Sequence, residues 1–485
     1  VFVRLIDFMS GAVWSIPTVA LIALTGLWFT FKMRCPQITS FKDMLCVLRK
    51  NLFSGGKRRA AESISTALAA TVGTGSVSGV ATALTIGGAG AIFWLWISAF
   101  LGMVVAYAEG VLSIKYRDGK KGGIMYSIRD GLKEPFAAAV YAAFTLLASF
   151  GMGSMAQTNA GAQAISVEFT VQPVIIGILF AAVAGLCVFS GKDFTGRACS
   201  VFLPALSLAY ICVTLWVITV NYKNIPSAFE SIFSSAFGLR PLAGGTAGYA
   251  VKQAISTGFK RGIFSNEAGL GTTAAIHAQS EGISPHEQGL MNMFEVITDT
   301  FIICTLTALC ILTSGAQSSG ADGAELVTIA CKTAFGDVSG KIVAISICGF
   351  SLATVMGWSK IGVGAADYLG GKVRIAIYKL VYVAAAFAGS VISLDTVWKI
   401  SDIFNGMMIF PCTIALILLR KEIVGAKADE NYSRPAESGD GYIRPVEPKP
   451  FSPRSESGSS SDSQTSGKIT GVTTICANRS PGSKV

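Results

Sequence analysis

Eleven stretches of this chain are apolar over the length of a bilayer crossing, at about 11–31, 62–85, 91–114, 136–165, 173–190, 199–220, 244–276, 289–314, 341–366, 374–393 and 400–419. A segment of some twenty apolar residues in hydrocarbon must bond its own backbone groups, and a helix does that within one segment. The fold class expected is therefore an all-α polytopic membrane protein. Only 14% of the 485 residues are charged, against roughly 25% in an average soluble domain. The net charge is +10, but the basic residues gather in loops, so they report orientation and not nucleic-acid binding. One loop carries Lys32, Arg34, Lys42, Arg49, Lys50, Lys57, Arg58 and Arg59; another carries Lys115, Arg117, Lys120, Lys121, Arg129 and Lys133. Both are expected to be cytoplasmic, which puts the N-terminus outside and the C-terminus inside, beside Arg420 and Lys421. The loop at 277–288 should also face inward, yet holds His277, Glu281, His286 and Glu287 and no Lys or Arg. The opening run lacks a small-residue cleavage site and reads as a retained span. The eleven cysteines have no C-x-x-C spacing and read as small core hydrophobes.

Two of the apolar runs are interrupted. Gly73, Gly75 and Gly79, with Thr71, Thr74, Ser76 and Ser78 among them, are poor material for a continuous helix, since each glycine costs roughly 1 kcal/mol relative to alanine. An unwound turn at membrane depth survives only where it is buried in protein or lines a wet cavity. Small hydroxyls and bare backbone are what a small polar solute or a sodium ion needs. About 190 residues later, Phe264-Ser265-Asn266-Glu267-Ala268-Gly269-Leu270-Gly271 makes a second interruption. Interrupted segments in corresponding positions of two halves point to a carrier built from inverted repeats. The competing reading is close packing through small residues, with Gly75 and Gly79 as a GxxxG pair. Close packing does not call for Asn266 and Glu267. From about 425 the composition turns to Ser, Pro and Gly, too poor in apolar residues to form a core. The expected division is a membrane domain at 1–424 and a disordered cytoplasmic tail at 425–485.

The motifs resemble the alanine or glycine:cation symporters. The run Leu68-Ala69-Ala70-Thr71-Val72-Gly73-Thr74-Gly75 and then Gly79-Val80-Ala81-Thr82-Ala83 is similar to their first core helix. Agreement continues through Gly90-Ala91-Ile92-Phe93-Trp94-Leu95-Trp96, Gly258 to Gly269, Asp299-Thr300 and Gly357-Trp358-Ser359, in family order over about 1–424. The resemblance implies a leucine-transporter-like fold: ten core helices in two inverted five-helix repeats, the first and sixth broken, with one helix in front. It implies sodium- or proton-coupled uptake of small neutral amino acids. Carried over by position, the substrate set is Val72, Gly73, Thr74, Gly75, Gln157, Asn159, Phe264, Ser265, Asn266 and Trp358. The unwound turn would offer N–H groups to the substrate carboxylate. Trp358 would limit the substrate's side-chain size. For Gln157 and Asn159 an interhelical hydrogen bond is an equal alternative.

Departures from the family pattern bear on coupling. The cation ligands that the resemblance implies are Thr71, Val72, Ser76 and Thr354, but Ser76 stands where the family has asparagine, and Ala353 where it has serine. A hard cation wants about five or six oxygens, so losing one or two weakens its site. Lys360 stands two residues past Trp358, where an aromatic is usual. It either replaces a cation or reaches for the interface. Glu267 is expected to pair with Lys260 or Arg261 as part of a gate, or as a structural ion pair. Glu109, Glu295 and Asp299 each need a partner or water, since an unpaired charge there costs at least about 2.5–3.5 kcal/mol. The reading is thus a symporter of alanine or glycine with Na+ in the cell membrane. A proton-coupled or ion-independent transporter and a non-transporting amino-acid sensor stand as alternatives. With two histidines and neither H-E-x-x-H nor G-x-S-x-G, an enzyme is not expected. The partners implied are a small neutral amino acid and the lipid bilayer; sequence does not fix the oligomeric state.

Overall fold

The computed structural model describes residues 2–53, 73–119, 121–190, 194–238, 246–280 and 282–427, and every regular element among them is a helix. The expected tail lies outside the described residues. The opening run forms two helices, α1 (Phe2–Val13) and α2 (Ile16–Lys32), where one span was expected. Pro17 sits in the first turn of α2, where a missing N–H is no loss, and the chain bends at Trp14 and Ser15 just before it. After α3 (Phe41–Phe53) comes a first set of five: α4 (Gly75–Gly87), α5 (Gly90–Lys115), α6 (Pro135–Phe169), α7 (Pro173–Ser190) and α8 (Phe194–Val220). A short α9 (Ile225–Ala236) leads to the second set. Its first member is divided into α10 (Thr246–Asn266) and α11 (Thr272–His277); then follow α12 (Pro285–Ser314), α14 (Asp337–Leu369), α15 (Lys372–Val391) and α16 (Leu394–Leu418). A short α13 (Gly323–Phe335) lies between α12 and α14, where a short external helix was expected at 322–333.

Among the described residues nine helices are long and apolar enough to cross a membrane. The other two of the eleven expected spans are the interrupted ones. The first is described only from residue 73, and the second is split and carries Lys252, Lys260 and Arg261 on its longer part.

Which helices touch which reveals the repeat. Take the second five as counterparts of the first, α4 with α10, α5 with α12, α6 with α14, α7 with α15 and α8 with α16. Each of the first four pairs packs together. The crossed pairs match as well: α4 meets α12 as α10 meets α5, and α6 meets α16 as α14 meets α8. The pattern of contacts survives exchange of the halves. Because five crossings is an odd number, the second half enters from the opposite face, so the repeats are inverted.

Small residues let the counterpart helices α5 and α12 approach. A β-carbon on Gly110 of α5 would lie 2.9 Å from Gly289 Cα on α12, and one on Gly289 would lie 2.6 Å from the Tyr107 ring. Loops of one end are tied by exposed ion pairs: Lys50 with Glu287 at 2.7 Å, Lys115 with Glu422 at 3.1 Å and Lys121 with Asp367 at 2.7 Å. Such pairs add only about 0–1 kcal/mol each. They do show the Lys-free loop at 277–288 on the same end as the basic loops.

The glycine contact predicts a contrast. Gly110→Leu should destabilise the folded protein by about 1–3 kcal/mol or more through overpacking. Gly185→Ala, whose new carbon meets only Val383 at 3.7 Å, should leave stability unchanged or raise it by up to about 1 kcal/mol. Thermal unfolding of the detergent-purified variants measures both.

Candidate functional site: a cavity between two helix breaks

The second break can be followed amide by amide. Helix α10 stops at Asn266, and Glu267 (φ 56°), Gly269 (φ 89°) and Gly271 (φ 77°) adopt left-handed backbone before α11 begins. The Glu267 N–H donates to Ile263 O at 2.9 Å, and the Leu270 N–H to Glu267 O at 3.1 Å. The Ala268 N–H donates to Asn266 Oδ1 at 3.1 Å. The remaining two, of Gly269 and Gly271, donate to Glu109 Oε1 at 2.8 and 3.0 Å. Tyr141 closes the set from α6 by donating to Leu270 O at 2.7 Å. Every N–H from 267 to 271 has an acceptor, as burial without water demands.

The first break meets the second directly. Gly73 is outside any helix, and the helix that follows begins with a π turn, Gly75–Gly79. A β-carbon on Gly75 would lie 2.9 Å from Ser265 Cα and 3.3 Å from the Phe264 ring. Only glycine permits that approach. Two further π turns, Gly151–Met155 in α6 and Ile297–Cys304 in α12, are largely buried. Such turns concentrate at functional sites, because they widen a helix and free backbone groups.

Around this junction lies a cavity of about 710 Å³, walled by Gly73, Thr74, Gly75, Gln157, Phe264, Ser265, Asn266, Glu267, Asp299, Thr354 and Trp358. Thr74 Oγ1 donates to Gln157 Oε1, and Gln157 Nε2 donates to Met152 O at 2.9 Å. Asn266 Nδ2 reaches Thr300 Oγ1 at 3.3 Å. Trp358 packs its Cβ 2.5 Å from where a β-carbon on Gly153 would stand, and its indole N–H donates to Glu267 Oε1 at 3.2 Å. Glu267 also accepts from Thr272 Oγ1 at 2.5 Å. Asp299 accepts from Ser265 Oγ at 2.6 Å and Thr300 Oγ1 at 3.0 Å. From sequence Asp299 stands in a family motif and as an acid in need of a partner; its place on the cavity wall depends on how α12 packs, which no local pattern reveals. His277 and Glu295, joined at 3.0 Å, line the same cavity.

The cavity runs to the exposed Lys121–Asp367 pair at one end. Toward the other end the residues are buried. Arg261 Nη2 donates to Asp402 Oδ2 at 2.8 Å, Lys260 reaches the same oxygen at 3.1 Å, and both Arg261 and Asp402 are at most 3% exposed. The guanidinium lies 4.0 Å over the Trp398 ring, and Phe264 meets that ring edge-on with centroids 4.5 Å apart.

Several expected residues stand elsewhere. Thr71 and Val72 lie outside the described residues. Asn159 is off the cavity wall: its amide donates to Gly389 O and Ile392 O at 2.8 and 2.9 Å, the interhelical alternative. The expected pairing of Glu267 with Lys260 or Arg261 is corrected, because Glu267 turns off the axis of α10 and both cations go to Asp402 on α16. Ser76 donates to Gly73 O at 2.9 Å and does not line the cavity, whereas Thr354 does. Lys360 is exposed and lies toward the open end.

This arrangement predicts which positions water reaches. With Thr354→Cys, a hydrophilic thiol reagent applied from the open end should label above the level of the parent chain; with Asn159→Cys it should not. Mass spectrometry of the labelled peptides reads both.

Known proteins bear on this geometry. The family model of the sodium:alanine symporter family matches residues 1–442. The sodium/alanine symporter AgcS of Methanococcus maripaludis is 36% identical over 439 residues, covering 87% of this chain and 96% of its own. An uncharacterized transporter of Haemophilus influenzae is 35% identical over 435 residues, covering 88% and 95%. Among solved structures, the Eremococcus coleocola manganese transporter in complex with an aromatic bis-isothiourea substituted compound matches with a TM-score of 0.48 and 12% identity over 80% of each chain. A likeness that loose bears on neither cargo nor mechanism. Nine apolar helices, two facing breaks and a match along nearly the whole membrane domain agree: this multi-pass membrane protein belongs to the sodium:alanine symporter family.

Proposed function

We propose that this cation-coupled amino-acid transporter imports alanine or glycine together with Na+ by alternating access. The observation that carries the reading is the contact of Gly75 with Ser265, which brings residues of the two interruptions onto the wall of one cavity that reaches the exposed Lys121–Asp367 pair. The substrate carboxylate would take N–H groups of the first break, near Val72 to Gly75. The ammonium would face Asn266, Ser265 and the Asp299 carboxylate, while Phe264 and Trp358 bound the small side chain. Sodium would be held by Thr354, with carbonyls near Thr71 and Val72. The relative AgcS is named for sodium and alanine, which favours that pair of cargoes here. By the positive-inside rule the end at Lys121 faces the cytoplasm, so the cavity would be inward-open in the cell membrane. The Arg261–Asp402 pair would then be the outer seal, with the N-terminus outside and the C-terminus inside.

One observation favours a second reading, proton coupling. The Ser76 hydroxyl is engaged with its own turn and Ala353 offers no oxygen, so few cation ligands are at hand. Glu267 and Asp299 on the wall are groups that can carry protons. Purified protein in liposomes separates the two. It should take up labelled alanine down an inward sodium gradient, with uptake falling at least about tenfold when choline replaces sodium at fixed pH. Uptake unchanged by choline but driven by a proton gradient would replace sodium coupling with the second reading. Binding without flux would point to a sensor.

A further inference from the structure

Glu109 has no place in the substrate or cation sets above, and it is completely buried on α5, behind the cavity wall. Its partners are uncharged and converge from two other elements. Oε1 accepts from the Gly269 and Gly271 N–H groups and from Cys412 Sγ of α16 at 3.4 Å. Oε2 accepts from Thr273 Oγ1 at 3.1 Å. Thr273 itself lines the cavity.

We propose that Glu109 is the positioning residue for transport: by accepting the two glycine amides it holds the second break in the shape that presents Ser265, Asn266 and Glu267 to the substrate. This rests on the transport reading above for its functional consequence, but not for its geometry. The two amides point away from any helix acceptor, because left-handed residues at 269 and 271 have turned them aside. In hydrocarbon an amide so freed takes whatever acceptor is nearest. Without a carboxyl oxygen behind the break, the amides would be satisfied by rewinding the segment into helix or by drawing water in, and either moves residues 265 to 267. What the position needs, on this account, is an acceptor oxygen at the Oε1 site. Glutamine supplies one there, and its amide group can donate to the Thr273 hydroxyl.

The test uses Glu109→Ala and Glu109→Gln in the full chain, with two readouts. Hydrogen–deuterium exchange of the peptide spanning 267–273 reads the amides, and alanine uptake in liposomes reads KM and Vmax. Glu109→Ala should speed exchange there at least about tenfold and raise KM at least about fivefold, and Glu109→Gln should restore both to within about threefold of the parent. Thr273→Val, which removes one donor and leaves the glycine amides bonded, should exchange like the parent. Parent-like exchange and KM in Glu109→Ala would overturn the proposal. So would Glu109→Gln as defective as Glu109→Ala, since charge would then matter and not acceptance. If Glu109→Ala fails to fold, the Glu109→Gln comparison still decides. If the parent carries no alanine, the transport reading falls while the exchange arm still tests Glu109.

Discussion

A backbone amide released from a helix and buried in protein has no water to turn to, and the architecture around residues 267–271 answers that one difficulty. Three of the five amides are satisfied locally, by Ile263, Glu267 and the side chain of Asn266. The other two require Glu109, 160 and 162 residues away in sequence. The break is therefore not a property of α10 and α11 alone. It exists because α5 passes behind it, held close to α10 and α12 by glycine contacts such as Gly258 on Ala91 O and Gly110 on Gly289. Helix packing, and not glycine flexibility, keeps the backbone unwound.

The crossed symmetry of the repeat extends to the acids. Glu109 belongs to the second helix of the first half and braces the break of the second half. Asp299 belongs to the second helix of the second half, bonds Ser265 at 2.6 Å, and sits in the π turn Ile297–Cys304 that packs against Gly75–Gly79 of the first break. Each interrupted helix is thus faced by a carboxylate borrowed from the other half. The two differ in setting. Glu109 is closed off behind the wall, whereas Asp299 is part of the wall. An inverted repeat supplies the same device twice, and the sequence has set one copy to hold shape and left the other where a solute can meet it.

What was legible in the sequence follows from which interactions are local. Apolar length pointed to the spans and clustered glycines to where the helices are interrupted, because both signals lie in neighbouring residues, although what holds the second break open does not. Phe264 to Glu267 and Trp358 were legible as motif, and they stand on one cavity. Partnerships between distant helices were not. Arg261 lies six residues before Glu267, so pairing them is the local expectation, but the helix ends between them and the guanidinium finds Asp402 at a separation of 141. Asn159 carries the polar signature of a binding residue, yet a buried amide is equally well used capping the carbonyls of Gly389 and Ile392 at the end of α15. Polar type tells that a bond is made, not with whom.

The buried pair of Arg261 and Asp402, proposed above as the outer seal, is incompletely bonded. Arginine and a carboxylate can make two parallel hydrogen bonds, but here one oxygen of Asp402 takes both Arg261 and Lys260, and no protein group among the described residues accepts from Arg261 Nε or Nη1. The guanidinium instead lies over the Trp398 ring, a contact worth about 0.5–2 kcal/mol. Burying charges carries a desolvation penalty of several kcal/mol per ion, which only full pairing offsets. As the proposed seal, a pair left this incomplete would favour the closed end less than a fully bonded one. A fully forked salt bridge at the same place would favour the closed end strongly, and a carrier locked at one end cannot cycle.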